Sequence, residues 1–174
     1  MLDNLNKRNG LPSLSNTEAM GQDLTFDQII VYYVFKDIPL IKRFFKRNLG
    51  ILMPNSKNNL LVQLLSDDNS ITIRFTLFND KCKTSAIYFV SELGCICLLY
   101  SLDKVLKIGK LLNVLQADEL NRVVKCKEVL LFNAEVCREA IVNVFVHNRW
   151  TDLNSLMFCA YSNRLEILSY GDHL

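Results

Sequence analysis

The sequence predicts an α+β fold in which a helical element precedes a layer of strands and helices. Apolar residues recur at helical spacing between residues 26 and 34. Apolar and polar residues alternate strictly between Ile71 and Leu77, as in a strand with one buried face. A longer helix is expected over residues 134–150, AEVCREAIVNVFVHNRW. Helices first, then mixed strands and helices, is the order typical of the α+β class.

The composition is that of a globular chain that can bury a core. Of its 174 residues, 50% are hydrophobic and 22% are charged, and the formal net charge of +2 is too small to predict a nucleic-acid partner by itself. The longest apolar stretch, residues 86–100, is interrupted by Ser91 and Glu92. It is shorter than the roughly 20 residues that a membrane helix needs, so no membrane segment is predicted.

The six cysteines lie within apolar runs, and no apolar signal segment begins the chain. We therefore expect a reduced, cytoplasmic protein. Cys95 and Cys97 are spaced as CxC, and the chain has only two histidines, neither at a helpful interval. We interpret the cysteines as small buried residues rather than as zinc ligands.

The chain divides into a flexible polar leader over residues 1–23, a helical element over 24–69, and a third region over 70–174. Thr25 is the expected N-cap of the first helix. The predicted helices cover residues 25–36, 40–48, 58–65, 93–112 and 134–150. The predicted strands cover residues 70–78, 87–90, 122–126, 155–161 and 164–169, and a turn is expected over 66–69.

The second predicted helix carries a basic face. It is formed by Lys42, Arg43, Lys46 and Arg47, which are paired at intervals of four residues. With the preceding helix it could form a winged-helix-like element that lies on phosphate groups. The alternative is an ordinary amphipathic helix whose cationic face is solvated, and the sequence leaves both open.

The helix over residues 134–150 carries a polar stripe, which we define as Glu139, Asn143 and His147. Residues four apart lie on one side of a helix. The flanking residues are mostly apolar, so we expect the helix to be buried all round. A buried polar group without a partner costs about 1–3 kcal/mol, so the stripe should meet side chains, backbone, water, or a ligand with its metal.

Two segments carry a family resemblance. The run REAIVNVFVHN, followed by NRLEILSYG, resembles the N-box and the start of the glycine box of the Bergerat-fold ATPases, also called the GHKL family. The closer similarity is to the ATP-binding C-terminal region of bacterial proteins named RecG-like ATP-dependent DNA helicases or transcriptional regulators. Upstream, LTFDQIIVYY and NLLVQLLSDDNSITIRFTLFNDKCKTS are also similar, so the resemblance covers residues 24–171.

The resemblance implies that residues 70–174 form a partial GHKL-type ATP-binding domain, the first part of a Bergerat-type α/β sandwich. ATP and Mg²⁺ are the implied cofactors, and DNA is the implied partner. Glu139 would be the general base that activates water, and Asn143 would be the Mg²⁺ ligand. The residues implied to contact the nucleotide are His147, Ser169 and Gly171.

The chain departs from the family pattern at three places, one of which is the turn Ser162-Asn163-Arg164 where the family has SDR. The family's HNDY is HNRW here, with Arg149 and Trp150, and GGLP is replaced by Gly171-Asp172-His173, after which the chain ends. A carboxylate at Asp172 would repel phosphate. We therefore expect a domain truncated at its glycine box, with weak or no ATPase activity by itself.

The truncation also predicts that the last strand is an unpaired sheet edge, so that the chain self-associates through it or is only marginally stable. Two other functions remain open. One is a nucleotide-independent DNA-binding regulator that uses the helix with Lys42, Arg43, Lys46 and Arg47. The other is a gene remnant without a selected activity.

Overall fold

The computed structural model describes residues 14–40, 45, 53, 55–113, 115–117, 128–130 and 132–170. Helices and a four-stranded mixed sheet confirm the α+β class. The helices are α1 (Asp27–Phe35), α2 (Leu60–Leu64), α3 (Leu98–Leu112) and α4 (Ala134–His147), with a short 3-10 turn at Trp150–Asp152. The strands are β1 (Ile73–Phe78), β2 (Ile87–Glu92), β3 (Leu115–Ala117), β4 (Glu128–Leu130), β5 (Leu156–Ala160) and β6 (Leu165–Leu168).

The main sheet has the strand order β2-β1-β5-β6. Its central pair, β1 and β5, is parallel and places Phe75 opposite Phe158. Both outer pairs are antiparallel. Strand β6 is an edge of this sheet, as expected for the last predicted strand, and self-association through it stays a prediction. A separate antiparallel pair joins β3 and β4.

Helices α3 and α4 cover one face of the sheet. Val105 of α3 and Ile141 and Phe145 of α4 belong to one buried cluster with Phe75 and Phe158 of the central strands. The alternation predicted for residues 70–78 therefore correctly identifies a strand with an inward face. A second cluster packs α1 and α2 together through Phe26, Ile29, Phe45, Val62 and Cys97.

Residues 14–23 contact the rest of the fold, whereas residues 1–13 of the leader predicted over residues 1–23 lie outside the described residues. Leu14 is only 3% exposed. Glu18 forms a β-bridge with Asn59, and the carbonyl of Gln22 accepts a hydrogen bond of 2.8 Å from the Asn58 side chain. The pairing depends on residues about 40 positions away, which the polar composition of the segment could not indicate.

The N-cap predicted at Thr25 is also wrong. Helix α1 begins after Phe26, which makes no side-chain cap. The carboxylate of Asp67 accepts hydrogen bonds from the amides of Asp27 and Gln28, at 2.9 and 2.7 Å. These are two of the free N–H groups at the helix start, so the cap comes from the predicted turn over residues 66–69.

Helix α3 begins at Leu98 instead of the predicted residue 93. The amides of Leu93 and Cys95 donate to the carbonyls of Ile73 and Ile71, both at 2.7 Å, which continues the β1–β2 pairing. Gly94 lies so close to β1 that a Cβ would overlap the Ile71 carbonyl. Because these amides already bond across the sheet, the segment cannot be helical.

Besides Gly171 and residues 1–13 of the predicted leader, two predicted features lie outside the described residues. They are the basic face of Lys42, Arg43, Lys46 and Arg47 and the strand over residues 122–126. The five cysteines of the described ranges are free thiols, of which Cys97 and Cys159 are buried while Cys82 and Cys95 are exposed. The prediction of small buried residues therefore holds only for some of them. Within the described part of the chain, no helix is both long and apolar enough to cross a membrane.

Candidate functional site

Helix α4 has defined ends. The side-chain oxygen of Asn133 accepts hydrogen bonds from the amides of Glu135 and Val136, at 2.9 and 3.2 Å, so Asn133 is the N-cap. The helix ends at His147, three residues earlier than predicted. Trp150 folds back and its indole N–H donates to the Phe145 carbonyl at 3.0 Å. That bond satisfies one of the carbonyls that a helix end leaves free.

One face of α4 is buried. Ile141 and Phe145 are 1% and 4% exposed. The Phe145 ring lies 6.3 Å from that of Phe158 on β5 and 6.2 Å from that of Trp150. Ile141 packs over Gly109 of α3, where an added Cβ would come within 3.2 Å of its Cδ1 atom. This face positions the helix on the sheet.

The opposite face is open, which corrects the expectation that the helix is buried all round. Glu139, Asn143 and His147, the polar stripe, are all exposed. The described layers cover one side of α4 only, so solvent can satisfy the stripe without a protein partner. Because these three side chains are exposed, they need no ligand to satisfy their hydrogen-bonding groups. They do share one side of the helix, as predicted.

The chain leaving β6 is held at the end of α4. The Asn148 side chain accepts a hydrogen bond from the Tyr170 amide at 3.0 Å and donates one to the Asn154 carbonyl at 3.4 Å. The Arg149 amide donates to the Tyr170 carbonyl at 2.6 Å. We call the two bonds to Tyr170 the Tyr170 clamp. It brings the segment after β6 to the end of α4 where His147 lies.

The Tyr170 clamp fixes the chain next to Ser169, one of the remaining residues that are predicted to contact the nucleotide. Ser169 directly precedes Tyr170 and is exposed at that end of the helix. Gly171 lies outside the described residues. Sequence reasoning missed Asn148, which is buried at 6% exposure. The signal that could have found it is a polar side chain just beyond the helix end, where amides commonly bond to backbone.

Arg149 stands where the sequence pattern that this chain resembles has a carboxylate. Its guanidinium pairs with Asp152 within the 3-10 turn, with Nη2 and Nε both 2.7 Å from Oδ2. Both side chains are partly exposed, and such pairs contribute roughly 0–1 kcal/mol to stability. The pairing places a carboxylate beside the cation, so this turn presents less positive charge than the sequence alone indicates.

A cleft of about 360 Å³ opens beside the first turns of α4, but the polar stripe does not line it. Its lining residues are Gly109, Lys110, Asn113, Phe132, Ala134, Cys137 and Arg138. Burial raises the pKa of the Cys137 thiol, which keeps this cysteine neutral and a poor nucleophile. The cleft and the stripe are therefore separate features on different sides of the helix.

The polar stripe offers too few ligands to hold a metal ion by itself. It fits only an ion that is also bound by other ligands, such as water or phosphate. Within the described ranges, no three His, Cys, Asp or Glu side chains are grouped to hold a metal. Glu139 and Asn143 offer a carboxylate and an amide oxygen one turn apart on an open surface. Mg²⁺ prefers such oxygen ligands and usually retains waters and substrate phosphate oxygens. The stripe could thus serve Mg²⁺ delivered with a nucleotide.

The comparisons with known proteins concern the fold. No family model matches this chain, and no curated protein matches it. The crystal structure of the DIP2311 protein from Corynebacterium diphtheriae is similar, with a TM-score of 0.67 and 15% sequence identity. The similarity covers 97% of this chain but 35% of that one. At this identity it shows that the chain has the fold of about one third of the DIP2311 protein.

Proposed function

We propose that this chain is the ATP-binding portion of a GHKL-type protein of the RecG-like helicase or regulator group, with a Bergerat-type arrangement. The polar stripe of α4 is then the surface that meets Mg-ATP. One observation carries the proposal. The stripe and the segment after β6 are the two parts of the resemblance, and the Tyr170 clamp holds the second at the end of the first.

Each residue of the polar stripe has a different role in the proposed binding of Mg-ATP. Asn143 offers its side-chain oxygen to the ion that accompanies the nucleotide. When bound, Mg²⁺ supplies positive charge that neutralises the phosphate oxygens. His147 and Ser169 lie toward the clamped end, where they can contact the polar groups of the nucleotide. None of these exposed side chains has to leave the core in order to bind.

Glu139 explains why turnover should be slow. A general base works best close to its water in a site from which bulk solvent is excluded. Glu139 is exposed, so its carboxylate is solvated on this surface. Binding without efficient hydrolysis is therefore the activity that the described residues support. Hydrolysis would require another segment or chain to cover this face.

Calorimetric titration with ATP in the presence of Mg²⁺ tests the proposal. The original chain should bind, and Asn143→Ala should weaken binding at least tenfold, which is about 1.4 kcal/mol. Removing Mg²⁺ with a chelator should weaken the original chain similarly. Arg138→Ala is the matched control and should bind like the original chain, because Arg138 is exposed on α4 but lines the cleft on a different side from the stripe.

Two outcomes would reject the proposal. One is the absence of heat with the original chain when circular dichroism shows it to be folded. The other is equal affinity of Asn143→Ala and the original chain, which would place the nucleotide elsewhere. The 360 Å³ cleft beside Arg138 would then be examined with Arg138→Ala.

A further inference from the structure

Two clefts adjoin where the end of α3 meets the segment before α4. The larger, of about 360 Å³, lies beside the first turns of α4, and the smaller, of about 180 Å³, lies between the end of α3 and the sheet. Gly109 and Phe132 line both of them. We call the two clefts together the α3–α4 groove. The larger cleft alone has the size of a small-molecule site in a protein.

The smaller cleft offers apolar surface. Its lining includes Leu77 of β1, Leu165 of β6 and Leu112 of α3. These three side chains pack against the main buried cluster but are only partly buried themselves. Arg164 also lines this cleft, but its guanidinium is already paired with Glu166 at 2.8 Å. Because covering apolar surface is favourable, this cleft suits an uncharged apolar group.

The larger cleft has a cationic rim. Lys110 of α3 and Arg138 of α4 both line it, and both are exposed. Within the described ranges, neither cation is paired with a carboxylate. The described residues that line this cleft include no acid. An anion at this end of the groove would therefore meet two positive charges without a competing carboxylate.

We propose that the α3–α4 groove binds an aliphatic carboxylate, with its apolar chain in the smaller cleft and its carboxylate between Lys110 and Arg138. An ammonium and a guanidinium both donate strong hydrogen bonds to a carboxylate. Phe132 is fixed at the junction of the two clefts, because its amide donates to the side-chain oxygen of Asn113 at 3.1 Å. The groove lies on a different side of α4 from the polar stripe, so the proposal does not depend on nucleotide binding.

Calorimetric titration of the full chain with decanoate, below the concentration at which it forms micelles, is the first test. Decanoate should bind. Decylammonium carries a similar chain with the opposite charge and should bind at least about tenfold more weakly. Hexanoate should also bind at least about tenfold more weakly than decanoate, because its shorter chain buries fewer CH₂ groups.

Substitutions in the groove give the second test. Lys110→Glu should weaken decanoate binding at least about tenfold, because it puts a carboxylate beside the ligand. Lys104→Glu is the matched control, since it makes the same charge change at an exposed lysine of α3 outside the groove. Ala134→Trp places a bulky side chain in the larger cleft from an exposed position, and it should weaken binding without a change of charge.

Alkylation of Cys137 locates the ligand. Cys137 lines the larger cleft and is partly buried, whereas Cys82 is exposed outside it. Bound decanoate should slow the reaction of Cys137 with iodoacetamide and leave Cys82 unchanged, as measured by mass spectrometry of peptides. Any of four results would overturn the proposal: no binding of millimolar decanoate to the folded chain, equal affinity for decylammonium, equal losses in Lys104→Glu and Lys110→Glu, or unslowed alkylation of Cys137 together with unchanged binding in Ala134→Trp.

Discussion

The two faces of α4 differ in their burial. Ile141 and Phe145 on one face are almost completely buried and join the helix to the sheet. Glu139 and Asn143 on the other are exposed. Substitutions on the first face should therefore change stability, whereas substitutions on the second should change binding alone. The helix shows how an exposed surface can be free of structural constraint while buried residues on the opposite face fix its position.

The largest effect is expected from Phe145→Ala. It removes a ring that contacts those of Phe158 and Trp150, and it leaves a cavity between α4 and the sheet. Unfolding in urea should show a loss of about 3–5 kcal/mol, and Phe145→Leu should lose much less. A loss below about 1 kcal/mol would mean that α4 is not held by this face.

Asn148→Ala is expected to have the next largest effect. It removes the acceptor for the Tyr170 amide and the donor to the Asn154 carbonyl from a buried position. The free energy of unfolding should fall by about 1–3 kcal/mol. Amide exchange at Tyr170 should accelerate in this variant. Asn148→Asp keeps an acceptor oxygen, so slow exchange at Tyr170 should largely survive; equally fast exchange in both variants would contradict the clamp.

Asp67 contrasts with the exposed polar residues of α4, because it is half-buried and its carboxylate caps helix α1. Burial raises its pKa, but hydrogen bonds from the Thr25 side chain and the amides of Gln28 and Asp27 lower it more, and the net pKa is below its ordinary value. The folded chain therefore favours the ionised carboxylate. The resulting stability is present above the ordinary carboxyl pKa and is lost as pH falls through the lower folded value.

Denaturation measured between neutral and acidic pH tests this linkage. Asp67→Asn removes the negative charge and replaces one of the two acceptor oxygens with a donor, so it should cost about 0.5–2 kcal/mol near neutrality. The difference from the original chain should shrink as pH falls below roughly 4 and through the lower pKa of folded Asp67, because the original side chain then becomes protonated and neutral. A constant difference across the whole range would show that ionisation of Asp67 does not stabilise α1.

The smallest effect on stability is expected on the open face. Asn143→Ala and Glu139→Gln should each change the free energy of unfolding by less than about 0.5 kcal/mol, as is usual for surface substitutions. If Asn143→Ala nevertheless loses nucleotide binding, the two faces are functionally separate. A loss of more than about 1 kcal/mol in either variant would show that the open face also supports the fold.

Local periodicity predicted much of the fold. The alternation around Phe75 identified β1, and the two apolar runs near the end identified β5 and β6. The spacing of Glu139 and Asn143 correctly placed both on one side of α4. These signals succeed because they depend only on residues a few positions apart.

The features that were missed depend on distant residues. The Asp67 cap joins residues 40 positions apart, and the late start of α3 follows from the contact of Gly94 with β1. The exposure of the stripe could not be predicted because apolar content does not reveal how many layers cover a helix. The flanking valines suggested burial all round, but the described layers cover one side only.

The Tyr170 clamp also has a mechanical consequence. Two hydrogen bonds tie the end of α4 to the point where the chain leaves β6. The end of the helix and this exit point are therefore directly linked, and we expect a displacement of one to be transmitted to the other. Any tilt of α4 produced by contact with its open face would shift the exit point in the same direction, so a probe at Ser169 would report force applied to the helix surface.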